Sequence, residues 1–274
     1  MAEAGNGGGA NGDAGVAGID TSTAHPARVY DYWLGGKDNF AADREAAEMA
    51  LQAYPQLAEA VQSNRAFLAR AVRYLTGVGV RQFLDVGTGI PAADNTHQVA
   101  QHEAPDSRIV YVDNDPIVLL HARALLKSTS QGACDYIQGD LRDPEEILAQ
   151  AGKTLDFSEP TALMLLAILQ FIADSEDPYA LVSRLVAALP PGSYLVLAHP
   201  TDDFNPNRQG ESIQRYNERV ADQATLRGHD ETARFFDGLG LVEPGLVTSS
   251  KWQPDSDITA ARHSSMWCGV ARKA

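Results

Sequence analysis

The feature that most constrains the fold is an alternation of short apolar runs with helical segments from Gln82 onward. The runs are QFLDVG, RIVYVDND, CDYIQGD, ALMLLAIL and SYLVLAHP, and helical patterns such as PIVLLHARALLKS and DPYALVSRLVAALP separate them. Strands that are apolar almost throughout indicate a parallel sheet with helices on both faces. At the end, LVEPGLVTSSKWQP and SSMWCGVARK read as two strands with no helix between them, which predicts an antiparallel hairpin. We therefore predict a doubly wound α/β fold with a mostly parallel seven-stranded sheet.

The chain before the first strand has a different character. Residues 1–18 are rich in Gly and Ala without apolar periodicity, which predicts a disordered tail. Helical spacing then appears three times, in ARVYDYWL, in DNFAADREAAEMALQAYP and in LAEAVQSNRAFLARAVRYL. We predict an N-terminal helical cover over 19–80 and a sheet domain over 81–274, with 19–274 forming one compact unit.

Composition excludes several classes of function. The 22 basic and 36 acidic residues give a formal net charge of −14, which argues against nucleic acid as the main partner. The chain has two cysteines, too few for a disulfide framework or a cysteine-rich zinc site, and this favours the cytoplasm. The longest apolar run is too short to cross a bilayer, so we expect no membrane association. His97 and His102 have no third ligand in view, and we expect no metal site.

Polar groups follow three successive strands of the predicted sheet. The segment FLDVGTGIP ends a strand in Gly87-Thr88-Gly89, where the missing side chains permit a tight turn close to a ligand, or only a plain turn into a helix. Asp113 ends the second strand, where its carboxylate can accept hydrogen bonds from ribose hydroxyls. Asp140 and Leu141 follow the third strand and suit an adenine amino group and ring, although Asp140 could equally cap the next helix. Because ligands bind at the carboxyl ends of such strands, this spacing indicates an adenosine site.

The glycine spacing does not select the cofactor, since GTGIPA also fits the dinucleotide fingerprint. The closing hairpin, the single run of parallel strands and the acidic GD after the third strand look like a class I S-adenosylmethionine methyltransferase. A nicotinamide-dependent dehydrogenase usually adds a further half-sheet or a substrate domain, for which this chain leaves little room.

The segments ARVYDYWLGGKDNFAADREAAE, NRAFLARAVRYL, QFLDVGTGIP and IVYVDNDP together resemble a bacterial family of S-adenosylmethionine-dependent methyltransferase-like proteins long classified as a domain of unknown function. The resemblance runs from about Ala24 to the C-terminus and implies a Rossmann-like fold that binds S-adenosylmethionine. It implies no particular acceptor. The segment AILQ after the fourth strand lacks the signature that holds a planar nucleobase amino group. The cofactor-binding residues predicted from the motifs and the resemblance together are Arg65, Asp85, Gly87, Thr88, Gly89, Asp113, Asn114, Asp140, Leu141 and Ala167.

Catalytic residues are less evident, because methyl transfer can proceed largely by holding the acceptor in line with the methyl group. If a general base is needed, His199 and Asp202 after the fifth strand are candidates, and Tyr30 is a third. We also predict that the segment Arg28 to Glu48 forms a lid over the site, with Tyr30 and Lys37 facing inward. The leading hypothesis is a methyltransferase of a small-molecule acceptor. The alternatives are a non-catalytic S-adenosylmethionine-binding sensor or interaction protein and a nicotinamide-dependent reductase.

Overall fold

The structure is a computed structural model that describes residues 20–125 and 127–274. The tail predicted over 1–18 lies outside the described residues, and the division into a cover and a sheet domain stays a prediction. The architecture is mixed α/β with a mostly parallel sheet, as the alternating pattern predicts.

Five parallel strands form the centre of the sheet in the order β3-β2-β1-β4-β5. Each pairs with its neighbours in parallel register, for example Leu84 opposite Val110 and Leu163. The order reverses direction at β1, so the carboxyl ends of β1, β2 and β4 surround a crevice of the type where ligands bind. The bounds of these strands are β1 Gln82–Val86, β2 Arg108–Asp113, β3 Ala133–Gln138, β4 Thr161–Leu166 and β5 Tyr194–Pro200.

The antiparallel end of the sheet also follows the prediction, with one difference. Strand β8 (Met266–Arg272) pairs antiparallel with β5 along its whole length. The partner predicted as one strand is two short strands, β6 (Gly240–Leu241) and β7 (Val247–Thr248), which pair with opposite ends of β8. Between them the Gly245 N–H donates to the Val242 carbonyl in a turn, and Gly245 has a φ of +85°. The described strands therefore occupy seven positions across the sheet.

Helices cover both faces because side chains alternate along every strand. Phe83 points into one apolar cluster with α3 and α4, while its neighbour Leu84 points into another with α6 and α7. The α-helices are α1 Pro26–Trp33, α2 Ala41–Ala53, α3 Leu57–Gly77, α4 Thr96–Glu103, α5 Pro116–Leu125, α6 Pro144–Ala151, α7 Pro178–Ala187, α8 Pro206–Asn217, α9 His229–Ala233 and α10 Asp257–Ala260. Short 3₁₀ turns lie at Leu169–Phe171, Asp174–Glu176 and Arg234–Phe236.

The three helices predicted before the first strand are present, and two of them pack away from the sheet core. Helices α1 and α2 pack on each other and on α8 through an apolar cluster that includes Val29, Ala46, Ala50 and Tyr216. Below this cluster the buried Arg28 places its Nε 3.6 Å from Asp43 and 3.5 Å from Asp115, which follows β2. This buried charge cluster fixes α1 beside the carboxyl end of the sheet.

Candidate functional site

A cavity lies at the carboxyl ends of the strands, roofed by helices α1, α3 and α8. Its floor consists of the segments that follow β1, β2, β3, β4 and β5 and the beginning of β8. Measured as the space open to the centre of a water molecule, its volume is about 180 Å³. All ten predicted cofactor-binding residues line this cavity, as does Tyr30.

The glycine turn after β1 is tied to the end of β2. Gly87 and Gly89 have φ values of +74° and +67°, which side-chain-bearing residues rarely adopt. The Gly87 N–H donates to the Val112 carbonyl at 2.8 Å, and the Gly89 N–H donates to Asp113 Oδ2 at 2.8 Å. A Cβ on Gly89 would meet no atom within 4 Å, so this backbone borders open space. The turn therefore reverses the chain and leaves space for a ligand beside its backbone.

Two buried carboxyl groups stand behind this turn. Asp85 accepts the Thr96 hydroxyl at 2.6 Å, and burial raises its pKa to about 6. Asp113 also accepts the Asp115 N–H at 3.0 Å. Burial raises the pKa of Asp113, and the hydrogen bonds from the Asp115 and Gly89 N–H groups oppose that rise. Each carboxylate oxygen can accept more than one hydrogen bond, so Asp113 keeps capacity for ligand hydroxyls.

The groups after β3 and on α3 are held by partners of their own. Asp140 accepts the Arg142 N–H at 2.9 Å and pairs with its guanidinium at 3.2 Å, and Arg142 also pairs with Glu176. Leu141 is buried in the sheet core and lines the cavity. Arg65 on α3 donates to the Ala93 carbonyl at 2.9 Å, which fastens the loop after β1.

Ala167 and Asn114 complete the floor. Ala167 has a φ of +57° and donates its N–H to the Ala198 carbonyl at 2.9 Å, so the chain turns sharply after β4. Asn114 lines the cavity between Asp113 and the buried Asp115.

Two of the three candidate bases lie outside the cavity lining. His199 is fully buried, its Nδ1–H donates to the Pro200 carbonyl at 2.9 Å, and its Nε2 accepts from Arg227 at 2.9 Å. Burial lowers its pKa to about 3, so the ring is neutral and both nitrogens are occupied. Asp202 is half-buried in the turn before α8, where its carbonyl accepts the Asn205 N–H. Neither residue reaches the cavity, because β5 and its turn direct both side chains elsewhere.

The N-terminal segment contributes to the cavity wall, in part as predicted. Tyr30 accepts a hydrogen bond from Asn64 Nδ2 at 3.0 Å and donates to the Val61 carbonyl at 3.4 Å, and burial raises its pKa. Trp33 lies beside it in the wall. Lys37 does not face inward: it is exposed and outside the lining, because the chain leaves α1 at Gly35 toward solvent.

Several polar residues of the wall carried little or no signal in the sequence. Gln170 follows Ala167 in a 3₁₀ turn, and Gln209 lies on α8. Tyr216 lies on the same helix, which the segment ESIQRYNERV predicts as a cover on the substrate side. Tyr54 also lines the cavity, and its hydroxyl contacts His263 Nε2. An isolated glutamine has no periodicity or spacing that would reveal its place.

Two properties of the described residues bear on function. No helix within 20–125 or 127–274 is both long and apolar enough to span a membrane. The same residues contain no group of three or more His, Cys, Asp or Glu side chains placed to hold a metal ion.

Comparison with known proteins agrees with the geometry. A family model described as S-adenosyl methyltransferase matches residues 13–274. A solved structure of a DUF574 family protein from Streptomyces avermitilis MA-4680 is 44% identical, with a TM-score of 0.90, and the match covers 93% of this chain and 99% of that one. A protein from Thermobifida fusca YX, proposed to be a methyltransferase, is 40% identical over 94% and 97% of the two chains, with a TM-score of 0.86.

More distant structures share the fold alone. An S-adenosylmethionine-dependent methyltransferase from Anabaena variabilis ATCC 29413 is 10% identical, with a TM-score of 0.52, over 94% of this chain and 99% of that one. No curated protein matches the chain. The family resemblance predicted from the sequence is confirmed by the match over nearly its whole length. The chain belongs to the S-adenosyl methyltransferase family.

Proposed function

We propose that this protein binds S-adenosylmethionine at the strand ends and transfers its methyl group to a small molecule held against helices α1, α3 and α8. The observation that carries the proposal is one cavity whose floor and roof differ in chemistry. Its floor has the turn and carboxyl groups suited to a nucleoside, and its roof has aromatic and amide side chains. Such a cavity can bring a cofactor and an acceptor together out of water.

The residues of the floor fit S-adenosylmethionine. Asp113 supplies carboxylate oxygens for the two ribose hydroxyls, and the open space at Gly89 lets the ligand approach the backbone. Asp140 supplies an acceptor for the adenine amino group, with Leu141 against the ring. Arg65 and the buried Asp85 stand on the side of the glycine turn where the methionine end would lie. When bound, the cofactor supplies a methyl group on a sulfonium, which is open to in-line displacement.

None of the three candidate bases predicted from the sequence is set up as a strong base in the roof. Tyr30 is half-buried with a raised pKa and stays protonated at neutral pH, so it acts as a hydrogen-bonding group. His199 and Asp202 are outside the cavity. Catalysis by this site therefore rests on orienting the acceptor and excluding water, which can account for a large part of the rate enhancement.

The first experiment measures thermal unfolding with S-adenosylhomocysteine, S-adenosylmethionine and NAD. A ligand that binds only the native state stabilises it by about 2.7 kcal/mol at a hundredfold excess over Kd. We expect both adenosyl ligands to raise the Tm and NAD to leave it unchanged. Asp113→Ala should weaken the adenosyl ligands, while Asp230→Ala, at a fully exposed position, should not. Stabilisation by NAD alone would overturn the proposal.

The second experiment tests turnover and acceptor size. The protein is incubated with S-adenosylmethionine and either the dialysable or the retained fraction of a bacterial extract, and S-adenosylhomocysteine is quantified. We expect product with the dialysable fraction and less with Asp113→Ala. Tight binding without product in either fraction would favour a non-catalytic sensor. Product with the retained fraction only would show a macromolecular acceptor instead.

A further inference from the structure

Four buried polar atoms in the cavity wall make no hydrogen bond to any described residue. They are Asn64 Oδ1, Gln170 Oε1, Gln209 Nε2 and the Tyr216 hydroxyl. Their side chains are between 3% and 7% exposed. Buried polar groups are almost always paired, because an unpaired one costs stability. Four such atoms around one cavity indicate a surface shaped for a ligand.

The orientation of each side-chain amide follows from the hydrogen bond that its other polar atom makes. Gln170 Nε2 donates to the Ala167 carbonyl at 2.8 Å, which leaves its oxygen without a partner. Gln209 Oε1 accepts the Asn205 N–H at 2.9 Å, which leaves its NH₂ group free. Asn64 Nδ2 donates to the Tyr30 hydroxyl at 3.0 Å, which leaves its oxygen free. The wall thus offers two acceptors, one amide donor and one hydroxyl.

The side chain of Trp33 lines the same cavity. Its ring centroid lies 6.0 Å from that of Tyr216. The ring packs against two apolar clusters, one that contains Tyr216 and another that contains Val61 and Ala167. The Trp33 Nε1–H donates to the Ala47 carbonyl at 3.2 Å, which holds the ring in place. Gln209 and Tyr216 are two turns apart on the same face of α8. A rigid aromatic wall with polar atoms around it suits a flat ligand.

The charges of the wall argue against an anionic ligand. Arg65 is bonded to loop carbonyls, Arg142 pairs with Asp140 and Glu176, and His25 pairs with Asp115. No other Lys or Arg among the described residues lines the cavity. An anionic acceptor buried against this wall would therefore lack an available cation, which is strongly unfavourable.

We propose that the surface formed by Trp33, Asn64, Gln170, Gln209 and Tyr216 is the acceptor subsite, and that it takes an uncharged, flat molecule carrying both hydrogen-bond donors and acceptors. This proposal rests on the proposed function, since it assigns the acceptor half of the same cavity. The half-buried Asp222 also lines this end, so a cationic amine is the competing ligand to be tested.

The test uses three probes that share a ring and a hydroxyl and differ in the charge of one substituent: 3-hydroxybenzamide, 3-hydroxybenzoate and 3-hydroxybenzylamine. Each is titrated calorimetrically into the full-length protein saturated with S-adenosylhomocysteine at pH 7.5. We expect the amide to bind at least about tenfold more tightly than either charged probe, because the benzoate would find no available cation and the benzylamine only the half-buried Asp222. Equal binding of the three, tighter binding of a charged probe, or no binding of the amide overturns the proposal.

Variants connect this preference to the named atoms. Gln209→Glu keeps the oxygen that accepts the Asn205 N–H and replaces the free donor by a second oxygen. It should weaken the amide probe by about tenfold and strengthen the benzylamine. Tyr216→Phe should weaken the amide probe about fivefold by removing one hydroxyl. Gln214→Glu makes the same charge change at an exposed position of α8 and should change neither affinity.

The affinity for S-adenosylhomocysteine separates the two proposals. All three variants should bind it as the wild type does, which also shows that they are folded. If the wild type does not bind it, the proposed function fails. If it binds and Gln209→Glu leaves the preference among the probes unchanged, the acceptor subsite alone is refuted.

Discussion

The carboxyl group of Asp85 gives a quantitative test of the site's electrostatics. It lies next to the C-terminal end of β1 and is 4% exposed, and burial raises its pKa from 3.8 to about 6. Between these two values the native state binds a proton that the unfolded state has released, so stability falls as the pH rises. A shift of about two units corresponds to a penalty of about 3 kcal/mol, complete above pH 7 and absent below about pH 4.

The substitution Asp85→Asn removes this ionisation while keeping an oxygen to accept the Thr96 hydroxyl. We expect the variant to be more stable than the wild type at pH 8, by up to about 3 kcal/mol. The advantage should shrink as the pH falls through 6 and vanish near pH 4. The measurement is urea unfolding of both proteins at a series of pH values, because other titrating groups are common to both and cancel. Asp230→Asn, at an exposed position, should give no pH-dependent difference.

A variant that is less stable than the wild type at pH 8, or one whose advantage does not depend on pH, would refute this reasoning. The first result would mean that the ionised carboxylate gains more from its surroundings than burial costs it. The same variant should also bind S-adenosylhomocysteine more weakly. A buried charge that costs stability and serves the ligand is a common compromise at functional sites.

The remaining predictions concern the charge cluster under α1 and the glycine turn. Arg28→Leu should lower the free energy of unfolding by about 3 to 5 kcal/mol, because two aspartates would stay buried without their cation. Arg215→Leu, which breaks a surface pair, should cost less than about 1 kcal/mol, and similar losses in urea unfolding would contradict the burial argument. Gly89→Ala should cost about 1 to 3 kcal/mol for its backbone conformation alone. Gly87→Ala should cost more, because its new Cβ would lie 2.4 Å from Ile168; equal losses in thermal unfolding would show that the clash relaxes.

Much of the fold follows from local pattern, and the exception has a local cause. Buried parallel strands must be apolar on both faces, so β1, β2, β4 and β5 stand out as nearly continuous apolar runs. The predicted single strand near the C-terminus divides into β6 and β7 because Pro244 has no N–H to pair and Gly245 turns with a positive φ. The tripeptide EPG is a turn signal in the sequence, but the apolar residues on both sides of it favour one strand.

The residues of the floor can be predicted from the sequence because the strand topology determines their positions. Once the strands are parallel, residues that follow them must meet at one edge of the sheet. His199 satisfies the same criterion and yet does not reach the cavity. Its place depends on Arg227, which donates to its Nε2, and on Phe235, which stacks on its ring, and both come from remote segments. No pattern near His199 contains that information.

The roof depends still more on remote contacts, and it is the part that we propose selects the acceptor. The Asn205 N–H occupies the side-chain oxygen of Gln209, so the NH₂ group of Gln209 stays unpaired. The Ala167 carbonyl occupies the NH₂ group of Gln170, so the oxygen of Gln170 stays unpaired. The segment RVYDYWLGGKDNF is rich in aromatic and charged residues, and these residues have two different roles in the structure. Arg28 holds the helix to the sheet, while Tyr30 and Trp33 form the wall. Relatives that keep the glycine turn and the carboxyl groups but change the roof amides should therefore share a cofactor and differ in acceptor.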